Sequence, residues 1–155
     1  KATFEDLYDV GVVARLLRIT PLEKGGAQVI LNMERRIKIV EPVKTRPSLK
    51  AKVEYHEDSS AFTVELKAYA TSIISTIKEI LKLNPLFKEE LQIFLAQSDF
   101  TEPGKLADFA VALTTASRED MQEILEIFDL EKRLDKSLTL LKKEQEFSVL
   151  QHSIN

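Results

Sequence analysis

The sequence predicts an α+β fold: a small, partial antiparallel β-sheet over residues 1–58, then an antiparallel α-helical bundle over 59–155 that ends in a long helix. Three observations carry this reading. Apolar residues near Tyr55 alternate with charged ones at period two. From Phe62 onward they recur at steps of three and four. Charge changes with the pattern: residues 1–58 hold 11 basic and 9 acidic side chains, and residues 59–155 hold 11 basic and 16 acidic.

The β elements follow in order. Tyr8 to Ile19 is rich in Val, Leu and Ile and forms the first strand. Pro21 to Gly26 is a turn, in which Gly25 and Gly26 supply the positive φ of a tight reversal. Ala27 to Met33 is a second strand and Glu34 to Val43 a third. Pro42 and Pro47 bracket a loop, because proline removes a ladder donor. Leu49, Ala51, Val53 and Tyr55 then alternate with Lys50, Lys52 and Glu54, a strand apolar on one face.

The helices begin after caps at Asp58 to Ser60, with Phe62, Leu66, Tyr69, Ile73, Ile77 and Ile80 on one face. Asn84-Pro85 stops that helix and starts another, carrying Phe87, Leu91, Phe94 and Leu95. Pro103 starts the next, with Leu106, Phe109, Ala110 and Leu113 inward. Ser117 to Asp120 resembles a capping box ahead of Met121, Ile124, Leu125 and Phe128. Asp129 caps the last helix, which aligns Leu130, Leu134, Leu138 and Leu141 and runs to about Ser153.

Composition excludes several functions. At 155 residues, with 44% hydrophobic and 30% charged side chains, the chain has the make-up of a folded domain. A net charge of −3 argues against nucleic-acid binding held by net charge. No apolar run approaches the roughly 20 residues of a membrane span, and Lys1 to Asp9 lacks the apolar core of a secretory signal. The absence of cysteine removes disulfides and thiolate chemistry and suits a reducing compartment.

No catalytic constellation stands out. Gly25-Gly26 leads into Ala-Gln, not into the Lys-Ser or Lys-Thr of a phosphate loop. His56 and His152 are far apart and read as surface residues, so no metal site is expected. The carboxylate pairs Glu57-Asp58, Glu89-Glu90 and Glu119-Asp120 read as helix-start charge or solvated faces, with nothing cationic arranged around them. Arg35, Arg36 and Lys38 form the densest basic stretch. Arg36 and Lys38 share a strand face, where they can meet an acidic partner or a phosphate, or simply pair with Glu34 and Glu41. Leu16, Leu17 and Ile19 follow so closely that both strand faces there should be apolar, and Phe100 lies in a connection. Such a surface calls for cover from other strands, another subunit or a client protein.

Three stretches carry a family resemblance. Phe4-Glu5-Asp6-Leu7-Tyr8-Asp9-Val10-Gly11, Pro103-Gly104-Lys105-Leu106-Ala107-Asp108-Phe109, and Met121 to Leu134 with its Ile-Leu-Glu and Arg-Leu pairs resemble passages of the N-terminal domain of Lon, the ATP-dependent protease. Residue chemistry gives these stretches structural roles. Pro103 starts a helix, Gly104 allows close approach, and Arg133 is placed to bond a carbonyl or carboxylate of a neighbouring helix. Asn32-Met33 stands where the family often has Glu-Gly, so the local turn should differ, and Met121 stands where it often has Lys. The family domain normally begins earlier, so the sheet should lack partner strands and have an open edge that self-association covers or that remains a liability.

The resemblance implies a non-catalytic substrate-recognition domain in a cytoplasmic, homo-hexameric, ATP-dependent serine protease. Its ATPase module, with ATP and Mg, and its Ser–Lys protease module lie outside this chain, which needs no cofactor of its own. The partners would be unfolded or tagged proteins and further copies of the chain, with contacts at Leu17, Ile19, Met33 and Phe100. Two alternatives share the fold: a stand-alone adaptor, and a phosphate- or nucleic-acid-binding module using Arg35, Arg36 and Lys38.

Overall fold

The computed structural model describes residues 2–59, 62–83, 89 and 102–154. The fold is α+β: a three-stranded antiparallel sheet, then helices ending in a long one. It divides into two compact units, Lys1–Glu57 and Asp58–Asn155.

The sheet unit contains a short 3-10 turn (Phe4–Asp6) and strands β1 (Val10–Pro21), β2 (Ala27–Lys44) and β3 (Lys50–His56), in spatial order β1-β2-β3. The β1–β2 reversal is a tight turn: Gly25 N–H donates to Leu22 O, and Leu22 N–H to Gly26 O, each at 3.1 Å. Gly25 and Gly26 have φ of +89° and +78°, which side-chain-bearing residues rarely adopt. Ala27–Met33 and Glu34–Val43, expected as two strands, are one 18-residue strand. A bulge stands where the two were expected to divide. Val13 pairs with Arg35 and Ala14 with Met33, leaving Glu34 unpaired between them. No described residue other than glycine has a positive φ, so Met33 takes its place without a glycine-like turn.

Val10 is the one buried residue of the described sheet unit. In β3 the expected alternation holds from Lys50 to Glu54. Tyr55 is exposed instead of inward, with the Arg35 guanidinium 4.3 Å from its ring centroid.

Four helices lie among the described residues of the second unit: α1 (Val64–Leu83), α2 (Pro103–Ala112), α3 (Arg118–Glu126) and α4 (Leu130–Ile154). Leu66, Ala70, Ile73, Ile77 and Leu81 of α1 pack with Leu106, Ala107 and Ala110 of α2 and Leu130, Leu134 and Leu141 of α4. A smaller cluster joins Val111, Ile124 and Leu140. Burial of this kind contributes roughly 1.5–3 kcal/mol per large aliphatic side chain. Ser117 caps α3 by accepting from Asp120 N–H at 3.1 Å, and Asp129 caps α4 by accepting from Lys132 N–H at 3.0 Å.

Three expectations for the helices need correction. The cap of α1 is Thr63, whose hydroxyl accepts from Leu66 N–H at 3.2 Å, so the helix starts later than Asp58–Ser60 and leaves Phe62 before it, partly exposed. Met121 is exposed, because the short α3 buries Ile124 as its anchor. Phe128 lies beyond the end of α3. The helix expected after Asn84-Pro85, with Phe87, Leu91, Phe94 and Leu95, lies outside the described residues.

Candidate functional site

Among the described residues of the helical unit, Thr76, Arg133 and Ser137 are the buried polar side chains. Arg133 of α4 is fully buried. Its Nε donates to Ile127 O at 3.0 Å, where α3 ends, and its two terminal nitrogens donate to the two carboxylate oxygens of Asp58. This is the forked, two-bond geometry that guanidinium and carboxylate favour. The expected carboxylate partner of Arg133 therefore exists, but it lies ahead of α1 and not on a helix. Gly104 explains the fit: a Cβ at that position would stand 2.0 Å from Asp58 Oδ2. The reading of Glu57-Asp58 as a pair without cations is overturned. Asp58 holds Arg133, and Glu57 accepts from Arg35 at 3.2 Å. These contacts tie segments of the fold together. No group of three or more His, Asp or Glu able to hold a metal occurs among the described residues.

A second candidate surface is the distal β1–β2 ribbon. Every residue from Arg15 to Ile19 and from Ala27 to Arg35 is exposed. Residues paired across antiparallel strands share a face. Leu16 pairs with Leu31, Ile19 with Val29 and Ala14 with Met33, while Leu17 has no partner because it is a bulge. Leu16 and Ile19, three residues apart, would fall on opposite faces of a regular strand. The bulge slips the register by one and puts both on the same face. That face then carries Leu16, Ile19, Val29, Leu31 and Met33, each between 46% and 62% exposed. The opposite face carries Arg15, Arg18, Gln28, Ile30 and Asn32. The expectation of apolar residues on both faces is thus corrected: one face is chiefly apolar, and the crowding of Leu16, Leu17 and Ile19 encodes the bulge.

Of the sequence-predicted contact residues, Ile19 and Met33 lie on this face and Leu17 projects from the bulge, 58% exposed. Phe100 lies outside the described residues. Val29 and Leu31 complete the face; only the strand register, which single-strand periodicity does not report, brings them in. Among the basic residues, Arg35 is engaged by Tyr55 and Glu57. Lys38 sits opposite Glu54 and Arg36 opposite His56. His56 is half-buried, with Nε2 3.1 Å from Glu54 Oε1.

Among the described residues no helix is long and apolar enough to cross a membrane. Comparison with known proteins agrees with the architecture. The structure is similar to the N-terminal domain of a Mycobacterium avium complex Lon protease, with a TM-score of 0.73 at 21% identity over 86% of this chain and 70% of that one. It is also similar to a Lon N-terminal domain protein from Xanthomonas campestris, with a TM-score of 0.56 at 16% identity, covering 85% of this chain and 68% of that one. Those likenesses show the fold. In sequence, the chain is 70% identical to the Lon protease of Protochlamydia amoebophila and 62% identical to that of Chlamydia pneumoniae. Both matches cover all of this chain and 19% of the relative, so the chain spans about a fifth of the length of these proteins. Residues 1–143 match the family model of the ATP-dependent protease La (LON) substrate-binding domain, and the chain belongs to that family.

Proposed function

We propose that this chain is the client-receiving part of a Lon-type ATP-dependent protease. It holds unfolded or damaged proteins and supports assembly of a cytoplasmic ring, while ATP-driven unfolding and Ser–Lys proteolysis belong to other modules of the parent. The observation that carries this reading is the solvent-exposed apolar face of Leu16, Ile19, Val29, Leu31 and Met33, with Leu17 beside it. Contiguous apolar surface of this kind marks interaction sites. An extended client segment lays apolar side chains on it or pairs with the open β1 edge. The contacts must offset the client's ordering entropy, so one copy binds weakly, on the order of micromolar. Several copies on a ring raise the effective affinity.

The test is binding of the purified chain to a fluorescent, permanently unfolded protein, with the folded form as control. Preferential binding to the unfolded form is expected. Ser substitution of Leu17, Ile19 and Met33 should weaken it at least about tenfold, which is about 1.4 kcal/mol, with the helical signal intact. Undiminished binding by that triple variant would refute the assignment of the surface.

A further inference from the structure

Sulfur chemistry in this chain is confined to two side chains. The sequence has no cysteine and two methionines, Met33 and Met121. Their settings differ. Met121 lies in α3 at 38% exposure. Met33 lies on the apolar face of the β1–β2 ribbon and, at 62%, is more exposed than Leu16, Ile19, Val29 or Leu31 beside it. Its partner across the ladder is Ala14, whose side chain ends at Cβ and is too short to cover a thioether. The ladder is also interrupted next to Met33, at the unpaired Glu34.

A thioether exposed to this degree meets a dissolved oxidant without any local opening of the fold. The four aliphatic side chains around it are inert to the same reagent. We infer that Met33 is an oxidation site through which a peroxide switches the client-receiving face. A lone pair of the Met33 sulfur attacks one peroxide oxygen, and an S–O bond forms as the O–O bond breaks. Sulfur is oxidised by two electrons to the sulfoxide, and the other oxygen departs as hydroxide and takes up the remaining proton to leave as water. The sulfoxide oxygen is a hydrogen-bond acceptor, and the side chains of Leu16, Ile19, Val29 and Leu31 offer it no donor. Water solvates it in the free chain. A bound apolar segment strips that water away and leaves the acceptor unpaired, so binding carries a new cost. Strand pairing runs through backbone N–H and C=O groups, which the reaction does not touch. Enzymatic reduction of the sulfoxide regenerates the thioether, so the change is reversible. The inference rests on the client-binding reading above and adds its regulation: oxidation weakens the hold on a client without unfolding the chain.

The experiment treats the folded 155-residue chain with hydrogen peroxide, removes the peroxide, and locates the added oxygen by peptide mass spectrometry. Binding to a fluorescent, permanently unfolded protein is measured before and after. Met33 should oxidise faster than Met121, and the oxidised chain should bind about tenfold more weakly, the cost of covering an unpartnered polar group. Methionine sulfoxide reductase should restore the affinity. Met121→Leu should keep the full response to peroxide and Met33→Leu should show none, each judged against its own affinity before treatment. Faster oxidation of Met121, unchanged binding after complete Met33 oxidation, or an undiminished response in Met33→Leu overturns the proposal. If peroxide lowers the circular dichroism signal, Met33→Gln decides: weaker binding with the signal intact supports the switch, and full binding refutes it. A chain that binds the unfolded protein equally well with and without the sulfoxide retains the client-binding reading and loses this one. A chain that binds no unfolded protein loses both.

Discussion

Removing the Asp58 carboxylate by Asp58→Ala leaves the Arg133 guanidinium buried with its Ile127 carbonyl contact and without a counter-charge. Breaking a buried ion pair from one side costs about 3–5 kcal/mol. Arg133 is fully buried, but the Asp58 side chain is 32% exposed, so water reaches part of the vacated site. The low end, about 3 kcal/mol, therefore applies. For a unit the size of Asp58–Asn155 this corresponds to a fall in Tm of roughly 12 °C. The assay is thermal unfolding followed by far-UV circular dichroism, in Asp58→Ala, Arg133→Met and the double variant. The double variant removes the stranded charge as well as its partner, and should be less destabilised than the sum of the two singles by at least about 1 kcal/mol. A cost below about 1 kcal/mol for Asp58→Ala, or strict additivity of the pair, would refute the claim that this contact organises the helical unit.

Three further outcomes follow from the same geometry. Gly104→Ala gains about 1 kcal/mol of helix propensity but drives a Cβ to 2.0 Å from Asp58 Oδ2, so a net loss of Tm is expected. In an Asp58→Ala background, where that oxygen is gone and the nearest remaining atom is Arg133 Nη1 at 3.0 Å, the same substitution should cost less Tm than it does in the parent chain. Ser137 is fully buried and its hydroxyl has no hydrogen-bond partner among the described residues, so Ser137→Ala should stabilise the chain by about 1 kcal/mol in denaturant titration. Tyr69 donates its phenolic proton to Asp135 Oδ1 at 3.1 Å, which with partial desolvation and the nearby carboxylates of Asp135 and Glu131 raises its pKa above the ordinary 10.0. In ultraviolet titration Tyr69→Phe should remove an ionisation step above pH 10.0, and Asp135→Asn should move the Tyr69 step to lower pH.

What the sequence discloses, and what it conceals, divides along a physical line. Period and capping are local, so the helix starts at Pro103, Arg118 and Leu130, and the Gly25-Gly26 reversal, are legible from neighbouring residues. Strand register is not local. Leu16, Leu17 and Ile19 look like a strand with two apolar faces until β2 is laid beside them; the bulge at Leu17 then brings Leu16 and Ile19 onto one face. Asp58 misleads for a related reason. A carboxylate ahead of an apolar helical run has the signature of an N-cap, and nothing within ten residues announces the guanidinium that claims it from 75 residues away. Gly104 was the available clue, because a glycine inside the first turn of a helix carries a propensity cost that close packing offsets.

The contrast between the two units bears on function. In the helical unit the rule-breaking residues, Gly104 and the buried Arg133, are reconciled by one another within the fold. In the sheet unit the exposed aliphatic face of Leu16, Ile19, Val29, Leu31 and Met33 finds no reconciliation among the described residues. Local conflicts that a fold does not resolve internally are where binding partners act. That conflict asks for apolar surface. An unfolded chain supplies it, which is why the client-binding reading is tested with the same protein in its unfolded and folded forms.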